Sequence, residues 1–145
     1  MNLRQVSVHK TRLRWEYHYL RMNGSIGPNP NGAQCTNVSN SAAALLGIPA
    51  SYGDAIELNY PGSLWVPNEP ANHPPAGAII IFNAEYPYDT TAGHTGWALH
   101  ACNPTELHIL WQNDPDGSPC EAVITDYTAC KGWWVLSSDT AEWGY

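Results

Sequence analysis

Asn31-Gly32-Ala33-Gln34-Cys35-Thr36-Asn37-Val38 reads as a helix start with a thiol in its first turn. Asn31 has the side chain of an N-cap, and Gln34, three residues later, completes a capping-box pattern. Apolar or small residues recur at Cys35, Val38, Ala42, Leu45 and Leu46, which is helical spacing. Gly47 can act as the C′ stop, with Pro49 just beyond it. The spacing therefore predicts a helix over 33–46. The unpaired N–H groups and the dipole at a helix start favour a thiolate, so Cys35 stands where a cysteine nucleophile would be placed. A small buried apolar position would suit the same residue.

Working outward, residues 23–32 hold Gly24, Gly27, Pro28, Asn29, Pro30, Asn31 and Gly32, a loop that leads into the helix. Residues 1–22 mix Val6, Val8, Leu13, Trp15, Tyr17, Tyr19 and Met22 with charges, which reads as extended or short helical pieces over a core. Beyond the helix, residues 48–76 are proline-rich, with a short helix around Gly53–Leu58 and otherwise a long surface loop. The pattern then changes to strands. Ala78-Ile79-Ile80-Ile81-Phe82 is a continuous apolar run, the signature of a strand buried on both faces. Residues 83–93 form a loop. His94 to Ala101 reads as the next strand, with Trp97, Leu99 and Ala101 on one face, while Gly96 and Ala98 keep the other shallow. A turn at Asn103-Pro104-Thr105 leads to a returning strand, Glu106 to Gln112. A second turn at residues 113–117 precedes short strands at Ala122–Asp126 and Gly132–Leu136. The expectation is an α+β fold, one helix followed by an antiparallel meander, in a single domain over residues 1–145.

Composition limits what such a domain does. Hydrophobic residues make up 43% of the 145, enough for a core. The net charge is −7, and four of the six basic residues (Arg4, Lys10, Arg12, Arg14) precede residue 15. Without a basic stripe the chain is a poor partner for nucleic acid and for an anionic membrane surface. Seven Trp and eight Tyr against one Phe point to rings lining a groove or the surface, since both side chains keep a polar tip. Residues 1–22 carry six charges and no apolar run, unlike a secretory signal, and no run of 18 apolar residues occurs. A protein with such a start that acts outside the cytoplasm is expected to need another export route, or lysis. The four cysteines, Cys35, Cys102, Cys120 and Cys130, match no zinc spacing. Cys120 and Cys130 flank a short apolar run and could bridge a hairpin.

A cysteine nucleophile needs a base, and the base needs an orienting group. Folding the His94 strand back through the Pro104 turn sets His94 opposite positions near 113–115, and cross-strand neighbours have Cβ atoms about 5 Å apart. Asn113 therefore lands within a residue or two of His94. An asparagine oxygen can accept from one imidazole nitrogen and leave the other for Cys35.

These segments resemble a CHAP domain, the cysteine- and histidine-dependent amidohydrolase/peptidase family of the papain-like and NlpC-like class. The carrying residues are Gln34-Cys35 opening a helix, Pro75-Ala76-Gly77-Ala78-Ile79-Ile80-Ile81-Phe82 entering an apolar strand, Gly93-His94-Thr95-Gly96 starting the next, and Gln112-Asn113 at the family's third catalytic region. The likeness covers about residues 28–136. It implies a papain-like/CHAP fold and cleavage of peptidoglycan amide bonds, as by phage endolysins or virion-associated lysins. In that case Cys35, His94 and Asn113 are catalytic. The Cys35 N–H and Asn29 serve the oxyanion, Gln112 is a secondary orienting candidate, and Trp65, Trp97 and Trp111 shape the substrate groove. Two departures stand out. Trp111 occupies the position where many members have glutamate, two residues before the asparagine. Asn29 and Asn31 stand where some members carry calcium-binding aspartates. No metal and no other cofactor is expected: Asp114-Pro115-Asp116-Gly117 lacks the remaining ligands of a calcium loop, and His100 and His108 on adjacent strands lack a zinc motif.

Three functions fit this reading. One is a peptidoglycan hydrolase, endopeptidase or N-acetylmuramoyl-L-alanine amidase, whose partner is a stem peptide or cross-bridge and which acts as a monomer. Another is an NlpC-like amidase effector toxin of interbacterial antagonism. The last is a non-catalytic module that binds glycan or a virion partner through its Trp and Tyr residues.

Overall fold

The computed structural model describes residues 35–45, 48–83, 92–99, 102–111, 120–125 and 127–136. The single described α-helix, α1, spans Cys35–Leu45. Its first described residue is Cys35, and the predicted positions 33, 34 and 46 lie outside the described residues. The Ile48 N–H donates to the Ala43 carbonyl at 2.9 Å and closes the far end. For a core helix, its sequence is rich in polar residues, and Ser39, Asn40 and Ser41 each make hydrogen bonds. Val38, Ala42 and Ala43 are buried against the sheet. Ser41 Oγ donates back to the Asn37 carbonyl at 2.6 Å. Asn40 anchors the next segment, accepting from the Ser51 N–H (3.0 Å) and the buried Tyr60 hydroxyl (2.9 Å) and donating to the Ser51 carbonyl (2.9 Å). Where the sequence predicts a short helix, a 3-10 turn forms at Ala55–Glu57.

Six strands follow: β1 (Leu64–Pro67), β2 (Ile79–Phe82), β3 (His94–Ala98), β4 (Leu107–Trp111), β5 (Cys120–Ile124) and β6 (Cys130–Val135). They make one sheet in the order β1-β6-β2-β3-β4-β5, antiparallel at every pairing. The expected meander holds from β2 to β5. The correction is β6, which crosses back to pair with both β1 and β2. β1 corrects the long loop expected over 48–76. It lies at the sheet edge, where Pro67 removes no ladder donor that a neighbour needs.

The central strands are apolar on both sides because both sides are covered. Every residue of β2 is buried, and each such aliphatic side chain contributes about 1.5–3 kcal/mol relative to exposure. Ile79, Ile81, Trp97, Leu99 and Leu110 face α1 and pack with Val38, Ala42, Leu58 and Tyr60. Ile80, Phe82, Ala98, Leu107, Ile109, Trp111 and Trp133 form a second cluster on the opposite face. That face is covered in part by irregular chain before β6, which supplies Tyr127 and Ala129, and Cys130 at the start of β6 packs beside them. Gly96 brings β3 and β4 together, since a Cβ there would stand 2.4 Å from Ile109 Cγ2 and 3.2 Å from Trp111 Cβ. The close approach expected at Gly96 therefore comes from the neighbouring strand.

Candidate active site

Cys35 opens α1, and His94 opens β3. Both are nearly closed to solvent, with Cys35 8% and His94 5% exposed. The backbone N–H groups of Thr95, Thr36 and Cys35 itself face the sulfur and favour its anion. Thr95 is the residue after His94, so the thiol lies against the chain segment that carries the imidazole. The polypeptide reaches this point through a sharp corner: Gly93 has φ +71°, where a Cβ would meet the Phe82 carbonyl at 2.5 Å and Ile56 Cβ at 3.0 Å. The Ile56 N–H donates to the Ala92 carbonyl at 2.9 Å, tying the 3-10 turn to this corner.

His94 lies on the loop-covered face. It pairs with Phe82 across the β2–β3 ladder, and the ring centroids are 6.0 Å apart. Trp111 meets the imidazole edge-on, with centroids 4.6 Å apart at 69°. This aromatic surround explains the electrostatics. Burial lowers the His94 pKa from 6.5 to about 4, because an apolar enclosure penalises the imidazolium. Burial also raises the Cys35 thiol, against the pull of its three N–H neighbours, with the Asp54 carboxylate adding to the rise. The thiolate expected from the helix start is therefore outweighed by desolvation, and the resting pair is a neutral thiol and a neutral imidazole.

Thr95 points the other way along the pleat, toward α1. Its hydroxyl donates to the Ile80 carbonyl at 2.7 Å, and Ser39 Oγ lies 2.8 Å from it. Both residues are fully buried. The sequence reading missed this pair, because Ser and Thr at inward positions look like surface residues. The available signal was the spacing of Ser39 one turn after Cys35, together with the place of Thr95 next to His94.

The other sequence candidates fall as follows. Asn29, Gln112 and Asn113 lie outside the described residues, as do His100, Asp114 and Asp116. Trp111 packs on His94. Trp65 is half-buried and meets Trp134 at a tilt of 54°, with centroids 5.1 Å apart. Trp97 is a correction: it is wholly buried beneath α1 and presents no ring to a groove. The Cys120–Cys130 bridge is also corrected. Cys130 is a free thiol, as is Cys102, and the two strands are far apart in the sheet order, β5 at one edge and β6 beside β1. Burial raises the Cys130 thiol to about 12 and the Cys102 thiol to about 11. His108 pairs with the Glu106 carboxylate at 3.0 Å. Among the described residues, no group of three or more His, Cys, Asp or Glu is placed to hold a metal ion.

Among the described residues, one α-helix on a six-stranded antiparallel sheet makes an α+β domain of endolysin-like fold. It is similar to the solved structure of a wild type endolysin, LysIME-EF1, with a TM-score of 0.64 and 20% sequence identity. The likeness covers 86% of this chain, which spans 65% of that endolysin's length. No protein-family model and no curated protein matches the chain.

Proposed function

We propose that this chain is a peptidoglycan hydrolase that cleaves amide bonds of the cell wall by a cysteine–histidine mechanism, in the manner of CHAP-type endolysins and virion-associated lysins. The observation that carries the reading is the Cys35 sulfur at the start of α1, facing the N–H of the residue after His94, in a chain of endolysin-like fold. In this mechanism His94 takes the thiol proton as Cys35 attacks the amide carbonyl, and then returns it to the leaving amine. Water, activated by the same imidazole, hydrolyses the thioester and restores the thiol. Because the resting pair is neutral, proton transfer accompanies attack. The Cys35 N–H and Asn29 are the proposed donors to the oxyanion.

Asn113 is the proposed orienting group for His94, with Gln112 as the secondary candidate. The β3–β4 register pairs Trp97 with Leu110 and Ala98 with Ile109. Asn113 itself lies outside the described residues, and the proposal takes this register to continue toward His94. The substrate in this reading is a stem peptide or cross-bridge, the enzyme acts as a monomer without metal or other cofactor, and it reaches the wall after release from the host or as part of a virion. The effector-toxin reading shares this chemistry and differs only in its setting.

The deciding experiment digests purified peptidoglycan and identifies the new termini by mass spectrometry. New amine and carboxyl ends at one amide of the stem or cross-bridge, absent with Cys35→Ala, support hydrolysis. A Cys35→Ala protein that keeps all wall-directed function would select the non-catalytic binding module instead.

A further inference from the structure

We propose that Ser39 and Thr95 form a positioning pair that fixes the Cys35 sulfur relative to the His94 ring, an inference that rests on the Cys35–His94 reading above. Ser39 sits four residues after Cys35, one helical turn along the same face. A bond at Ser39 therefore sets both the rotation and the axial position of the turn that carries the thiol. Thr95 follows His94 in β3, so its side chain leaves the opposite face of the strand. The hydroxyl has one proton, and that proton goes to the Ile80 carbonyl at 2.7 Å. Ser39 is then the donor in the 2.8 Å contact between the two hydroxyls. The chain of bonds runs from α1 to β3 to β2 inside the core.

The apolar contacts of the α1–sheet interface are less suited to this work. Val38, Ala42 and Ala43 make apolar contacts, which are non-directional and set the rotation of the helix less sharply than a hydrogen bond. Alanine and valine would fill the same space as Ser39 and Thr95, so packing alone does not call for hydroxyls. A fully satisfied buried polar pair adds direction. Thr95 moreover meets the helix twice, through its hydroxyl at Ser39 and through its N–H at the Cys35 sulfur. The nucleophile and its base are thereby referred to one residue.

The test uses Thr95→Val, Thr95→Ser and Ser39→Ala, with His94→Asn as the control. Two quantities are read: kcat and KM on peptidoglycan, and the pH profile of Cys35 alkylation by iodoacetamide. Alkylation is followed by peptide mass spectrometry, so that Cys102 and Cys130 are counted separately. Thr95→Val is expected to lower kcat about 10–100-fold with KM nearly unchanged, the cost of a small misplacement of reacting groups. Its alkylation profile should move toward that of His94→Asn. Thr95→Ser, which keeps the hydroxyl, should restore both. A Thr95→Val protein with native circular dichroism, wild-type kcat and the wild-type profile overturns the proposal. If Thr95→Val does not fold, Ser39→Ala decides in the same way: a lowered kcat with a shifted profile supports the pair, and wild-type values overturn it. If His94→Asn leaves Cys35 alkylation unchanged, the Cys35–His94 reading falls and takes the pair with it. If His94→Asn shifts the profile while the Thr95 and Ser39 variants do not, only the pair falls.

Discussion

The two faces of the sheet are built by different means. The face toward α1 is covered by regular structure and crossed by a directional contact, Ser39 to Thr95. The opposite face is covered in part by irregular chain and filled with large rings and aliphatics, among them Phe82, Trp111 and Trp133. Cys35 belongs to the helix that covers the first face, and His94 has its ring among the aromatics of the second. The thiol is thus held by backbone N–H groups and aimed by hydroxyls, while the imidazole is packed among aromatic rings and nearly closed to solvent. Two groups in one proposed reaction receive their properties from two unlike environments, and both environments push them toward the uncharged form.

Breaking the helix side should have the largest effect. Cys35→Ser is expected to cut hydrolysis by roughly 10³-fold or more, as when one member of a cooperative catalytic set is removed, while circular dichroism stays native. Wild-type turnover in that variant would end the cysteine mechanism. On the other face, Asn113→Ala should lower kcat roughly 10–100-fold, the scale of losing a hydrogen bond that orients a ligating or catalytic ring, and Gln112→Ala should do little. The reverse result would mean that the β3–β4 register slips by one beyond Trp111, and the orienting role would pass to Gln112.

Acid sharpens the comparison, because the loop-covered face contains His94, which resists protonation near neutrality. His94 has a folded pKa of about 4 against 6.5 in an open chain. As pH falls below 6.5 the unfolded chain takes up the proton first, so stability is full above 6.5 and is lost progressively down to about 4. The loss is at most roughly 3 kcal/mol by linkage. Denaturant unfolding at pH 7 and pH 4 measures it, and His94→Phe should flatten the difference. A His94→Phe protein with the wild-type acid slope would place the titrating group elsewhere. The smallest effect is expected from chelation. EDTA should leave hydrolysis unchanged, and complete loss restored by calcium would overturn the reading of Asp114 and Asp116.

What the sequence made legible was periodic. The spacing of Val38 and Ala42 marked α1, and the unbroken Ala78–Phe82 run marked β2, because a buried element must repeat its apolar residues at its own period. The start of β3 at His94 and the β3–β4 turn followed from the same logic. β1 was hidden because an edge strand needs no alternation: Leu64 and Pro67 are exposed while Trp65 and Val66 are half-buried, and prolines surround it. The place of β6 was hidden for another reason. Strand order depends on which edges remain unpaired after the meander forms, and no local pattern records that. Trp97 and Trp111 were read alike as groove residues, yet they fall on opposite faces, since a strand's alternation assigns faces only once its neighbours are known. The Ser39–Thr95 contact joins two segments far apart in the chain, each polar residue looking ordinary by itself.

The insertion of β6 between β1 and β2 has a consequence for how the protein comes into being. β1 has β6 as its ladder partner, and β2 meets β1 only through β6. While the chain leaves the ribosome, β2, β3 and β4 can begin to pair in order, but β1 must wait with its edge groups open until residues 130–135 emerge. These pairings span much of the chain, and long-range strand closure is slow and exposed to association with other chains. The thiol helix and the strand that carries the imidazole both precede β6, so the proposed catalytic groups are made early and enclosed late. A nascent chain stopped before Cys130 would carry Cys35 and His94 while β1 still lacks its ladder partner.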